Sequence, residues 1–84
     1  SLPIIKIYGS GDIKLKINND EIGLIDLSGE VIINSEVEDC YDEDLNNLNY
    51  KMNGKFPVLE VGQNLIQWTG NVDKLEIIPN WRWL

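Results

Sequence analysis

Fourteen carboxylates and no histidine bound the chemistry open to this chain. Without an imidazole it lacks the commonest general base, the usual activator of a serine or cysteine nucleophile, and the commonest zinc ligand. Cys40 stands between Asp39 and Tyr41 in an acidic stretch. Neighbouring carboxylates disfavour a thiolate, so it reads as an inert thiol. Glu36, Glu38, Asp39, Asp42, Glu43 and Asp44 gather in one short segment, and Asp42 to Asn46 match the opening of an EF-hand calcium loop. The match then fails, because Asn47 stands where glycine makes the sharp turn and Asn53 where a bidentate glutamate belongs. A solvated acidic loop is expected over 36–44. Carboxylate pairs that cleave glycosides need a cleft, which nothing here announces. Gly9-Ser10-Gly11 lies between two strand-like segments, with no helix after it to hold a phosphate. No catalytic, cofactor-binding or metal-ligating residue is assigned, and no enzyme is expected.

The three tryptophans are the candidates for binding. Trp81 and Trp83 alternate, so an extended tail points both indoles the same way, with Arg82 between them. Two exposed indoles make a stacking platform for a sugar ring; buried, they cover the open end of the core. Trp68 shares a face with Ile66 and is expected in the core, where truncation to alanine costs about 3–5 kcal/mol.

The net charge of −7 repels phosphate backbones and anionic lipid, and Arg82 is the only arginine. Nucleic acid is not an expected partner. The apolar runs are too short to span a bilayer. Ser1-Leu2-Pro3 has neither an initiator methionine nor the basic start of a signal peptide. It reads as a cut made downstream of a partner domain.

Period-2 alternation dominates the elements that must position these residues. Ile13, Leu15 and Ile17 face one way and Lys14 and Lys16 the other, which marks residues 12–18 as a half-buried strand. Further strands are expected at 3–8, 21–27, 30–34, 50–52, 56–61, 65–69 and 74–78, with 12–18 and 21–27 forming a hairpin. Gly9-Ser10-Gly11, Ser28-Gly29, Asn53-Gly54, Gly62-Gln63-Asn64 and Gly70-Asn71 supply the turns between them. Seven to nine short strands in 84 residues predict one all-β domain over 1–84, an antiparallel β-sandwich or jelly roll.

Four segments in order carry a family likeness: Gly9-Ser10-Gly11-Asp12-Ile13; Gly54-Lys55-Phe56-Pro57-Val58-Leu59; Gly62-Gln63-Asn64-Leu65-Ile66-Gln67-Trp68-Thr69-Gly70; and Ile78-Pro79-Asn80-Trp81-Arg82-Trp83-Leu84. With them the chain resembles the C-terminal domain of the distal tail proteins of long-tailed, non-contractile bacteriophages and related prophages. The resemblance implies a galectin-like sandwich at the tail tip of a virion made in a bacterial cytoplasm. It implies a missing upstream domain that forms a hexameric ring, while the isolated domain is a monomer. Tail-tube, tip and receptor-binding proteins become the implied partners, with a host cell-wall glycan as the alternative. Gly9, Gly11, Asp12, Gly62, Asn64, Trp68 and Gly70 are the implied scaffold residues, and Trp81, Arg82 and Trp83 the implied contacts. A sugar-binding galectin needs a histidine and more than one arginine in its groove, which this chain lacks, so the fold alone implies no lectin activity.

Overall fold

The computed structural model describes residues 2–60 and 62–79. Three long strands dominate it: β1 (Ile4–Ile17), β2 (Asp20–Asn34) and β5 (Ile66–Ile78). Two short ones, β3 (Asp39–Tyr41) and β4 (Met52–Gly54), are attached to β2. All pairings are antiparallel, and the strands form one five-stranded sheet in the order β3-β2-β1-β5, with β4 also on β2. The sheet is not closed. A short 3-10 turn lies at Asn49–Lys51, and no helix among the described residues is long and apolar enough to cross a membrane.

The expected short strands are therefore merged in pairs. Residues 3–8 join 12–18, 21–27 join 30–34, and 65–69 join 74–78. The glycine breaks between them are not chain reversals. They lie beside one another across the sheet: Gly9 faces Gly29, Ser10 faces Ser28 and Asn71, and Gly9 faces Val72. The β1–β2 register slips between Gly11 and Ile13, and the β1–β5 register slips on both sides of Gly9-Ser10. Extra residues at such slips bend a strand and raise its twist, so all three long strands crease at one level. Turn-like composition marked the right places, but the glycines bend strands there instead of ending them.

The apolar face of the sheet runs on across the crease, and the sandwich or jelly roll expected from the strand count is not shown: the strands form one open sheet. Ile5 and Ile7 lie before it and Ile13, Leu15 and Ile17 after it, yet all five are at most 1% exposed and belong to one core. A Cβ on Gly9 would sit 2.7 Å from Cδ1 of Ile13, so the first side chain past the bend leans back over the strand before it. Ile22, Leu24, Leu27, Val31 and Ile33 of β2 complete the interior with Cys40. Each buried aliphatic side chain contributes roughly 1.5–3 kcal/mol.

Two further expectations change. Asn53-Gly54 is not a hairpin turn: Asn53 pairs with Gly23 and Gly54 with Ile22 inside β4. The φ of +107° at Gly54 lets the backbone press against Glu21, whose carbonyl oxygen a Cβ would strike. The strand expected at 56–61 is absent over the described residues 56–60. Proline cannot donate to a central ladder, and here Pro57 and Leu59 turn their side chains into the core while Phe56 packs against it. Residues 55–60 are thus a strap that leaves the β4 edge, and residues 62–64 lead into β5.

Candidate interaction surface

Cross-strand register sets the two faces of the sheet. Below the crease, Lys14 lies between Gly23 and Thr69, and Lys16 between Glu21 and Gln67. Opposed residues in an antiparallel pair share a face, so these six occupy the side away from the core. Lys14, Lys16, Glu21, Gln67, Trp68 and Thr69 line a shallow groove of about 340 Å³. A second depression of about 400 Å³ continues from Lys14 and Thr69 across Gly23 to Asn53 and Ile25. The side-chainless Gly23 makes the dip between them. Neither lysine forms an ion pair among the described residues.

Above the crease the same face is electrostatically self-satisfied. Glu30, Tyr8 and Lys74 stand in one cross-strand row. The hydrogen bond to Glu30 is the main cause that pushes the Tyr8 hydroxyl up to about 12. Lys74 lies 5.5 Å from the centre of the Tyr8 ring and pairs with Glu76 at 2.7 Å. That pair raises the lysine and lowers the glutamate from their ordinary values.

The acidic segment is organised around Asp42. Its Oδ1 accepts from the backbone N–H groups of Asp44 and Asn46, each at 2.9 Å, and its Oδ2 accepts from Asn46 Nδ2 at 3.0 Å. These donors hold the carboxyl below its ordinary range and turn the carboxylate inward on its own loop. Among the described residues no group of three or more acidic, histidine or cysteine side chains converges as metal ligands would. Cys40 is fully buried, and desolvation pushes its thiol up to about 11.

The residues singled out as scaffold occupy turns and bends. Asp12 Oδ1 accepts from the N–H of Asp26 at 3.0 Å across the crease. Asn64 closes its own loop: Oδ1 accepts from the N–H of Glu60 at 2.8 Å, and Nδ2 donates to the Glu60 carbonyl at 3.0 Å. The β1–β2 turn is tied to that loop. Asn18, at φ 55°, donates from Nδ2 to Asn64 Oδ1 at 2.9 Å and accepts from the N–H of Leu65 at 2.9 Å.

Trp68 departs from its expected burial. It faces Leu15, which is fully buried, and so lies on the core side of the sheet, yet it is 50% exposed. The cause is its strand: among the described residues β5 is the last in the sheet, and none of them covers the core beyond it. Trp81, Arg82 and Trp83 lie outside the described residues, so the structure does not place the implied contact residues. The groove was half legible in the sequence. Alternation put Lys14 and Lys16 on the outer face, but nothing local brought Gln67 and Thr69 alongside from the far end of the chain. Comparison with protein families, with curated proteins and with solved structures finds no match to this chain.

Proposed function

We propose that this chain is a structural and interaction domain of a phage tail tip, the outer domain of a distal tail protein, and that it works by surface complementarity. One observation carries the reading: the glycines and polar residues of the family likeness gather where the long strands bend and at the loop before β5. Gly9, Gly11, Asp12 and Gly70 converge on the crease from both ends of the chain, and Asn64 ties the loop before β5. Motifs of that kind carry over with an architecture, which in this family is a galectin-like β-sandwich. The creased sheet with a single core on one face suits that two-layered form. Gathered on the outside of a hexameric ring supplied by an upstream domain, such sheets would hold tip and receptor-binding proteins. Electron microscopy of virions assembled with the parent protein truncated before this domain tests the reading. The expected result is tails with incomplete tips or missing receptor-binding proteins. Complete tips with a full set of adhesins would count against it.

Trp68 favours a second reading, a carbohydrate-binding module. Trp68 is half exposed on the core side of the strand whose Gln67 and Thr69 line the outer groove with Lys14 and Lys16, and an exposed aromatic residue near amide and hydroxyl groups suits a sugar ring. Glycan-array binding that is lost in Trp68→Ala, or in Trp81→Ala or Trp83→Ala, would promote this reading over the first.

A further inference from the structure

The two margins of the sheet are treated differently. The outer edge of β2 is covered twice, by β3 at residues 32–34 and by β4 at residues 22–24. The outer edge of β5 has no strand beside it among the described residues, although β5 runs for 13 residues. An uncovered strand presents a row of backbone N–H and C=O groups that template pairing with another chain. Its side chains point the same way. Ile66, Val72, Leu75 and Ile77 pack against the core but stay only partly buried, whereas their neighbours Ile5, Ile7 and Ile17 on β1 are fully buried. Among the described residues the core is incomplete along this margin.

The charge pattern says what completes it. Lys74 and Glu76 flank Leu75 on the outer face, 61% and 38% exposed. Suppose a second copy of β5 lies antiparallel with the two-fold axis at Leu75. Leu75 then meets its own copy on the core side, and Lys74 of each chain stands opposite Glu76 of the other. An axis at Lys74 would set lysine against lysine, and one at Glu76 glutamate against glutamate. Opposed residues must share a face, so the Leu75 register is the charge-matched choice among these three. A two-fold interface requires such self-complementarity.

We propose that β5 is a dimerisation edge, across which a second copy of this chain pairs antiparallel about Leu75 and extends the sheet. The resemblance to the tail proteins implies a monomer for the isolated domain, so this inference stands on the strand itself and not on that reading. The net charge of −7 on each copy opposes association, and salt near physiological strength, with a screening length of about 8 Å, reduces that cost.

Sedimentation velocity of the 84-residue chain over about 5–500 μM, the range expected of a small interface, tests it. The expected mass rises from one chain to two with concentration. Lys74→Glu sets glutamate against glutamate and Glu76→Lys sets lysine against lysine, so each variant alone should dimerise at least about tenfold more weakly. An equimolar mixture of the two restores both cross-chain pairs and should form the heterodimer. Neither variant regains its internal Lys74–Glu76 pair in the mixture, so a merely structural role for that pair predicts no recovery. The double variant Lys74→Glu/Glu76→Lys should dimerise like the wild type, which covers the case in which a single variant folds poorly. A wild-type chain that stays monomeric throughout the range overturns the proposal. So does a dimer unchanged in both single variants, or a mixture no better associated than its components.

Discussion

A Cβ placed on Gly70 would lie 2.5 Å from the carbonyl oxygen of Asp12, although the two residues sit 58 positions apart in the chain. The contact is where β5 crosses the crease of β1, and it requires both the absence of a side chain and a backbone that L residues rarely adopt, since φ at Gly70 is +107°. Gly9 approaches Asn71 as closely, but Gly70 joins the close contact to a positive φ.

Gly70→Ala should therefore destabilise the domain by about 2–4 kcal/mol, combining backbone strain with a clash that only backbone movement relieves. Gly11→Ala is the control. Gly11 has φ +75° but open space around its Cβ position, so it should lose only the conformational term, about 1–2 kcal/mol. Urea denaturation of both variants gives the ordering. Equal losses would show that the Asp12 contact is not a constraint.

The same crease explains what the sequence conveyed and what it withheld. Alternation at Ile13, Leu15 and Ile17 is a local signal, and it located the strand, its buried face and the β1–β2 hairpin. Gly9-Ser10-Gly11, Ser28-Gly29 and Gly70-Asn71 are equally local, but a glycine that bends a strand and one that ends it look alike until the neighbouring strand is known. Three long strands were thus read as six short ones. Pro57 falls in the segment expected as a strand at 56–61, yet its ring is buried in the core from a strap. Trp68 was assigned to the core from the company of Ile66; that placed it on the correct face, but its exposure depends on β5 being last in the sheet, which composition does not encode.

Trp68→Ala should cost about 1–2 kcal/mol, well below the cost of a fully enclosed indole, because half its surface is in water already. Leu15→Ala, one strand inward and fully buried, should cost about 2–5 kcal/mol. Chemical denaturation of the pair should find the smaller residue more costly to truncate. The reverse order would mean that Trp68 is sealed under cover in solution.

Asn64 and Asn18 form a coupled pair that holds the β1–β2 turn against the loop before β5. Asn64→Ala removes the partner of the Glu60 N–H and carbonyl as well as that of Asn18, and should destabilise by about 1–3 kcal/mol. Asn18→Gly keeps the left-handed turn but loses the side-chain bonds. In a double-mutant cycle the two losses should fall short of additivity by about 0.5–1 kcal/mol. Strict additivity would make the Asn18–Asn64 bond energetically silent.

Stability should fall on the alkaline side, and Cys40 sets where. Its thiol ordinarily ionises near 9.0, but burial pushes it up to about 11 in the folded chain. Between those values the unfolded chain has released a proton that the folded chain still holds, so the folded state binds more protons and stability declines as pH rises. Below about 9 this group has no effect on the slope. Tyr8, moved from 10.0 to about 12 chiefly by its hydrogen bond to Glu30, acts in the same direction one step later. Urea midpoints measured from pH 8 to 11 should drop, and Cys40→Ala, although less stable at pH 8, should show a shallower drop between 9 and 11. Adding Tyr8→Phe should flatten the remainder above 10. A Cys40→Ala profile parallel to the wild type would show that the thiol ionises as easily folded as unfolded, and with it that the side chain is reached by water.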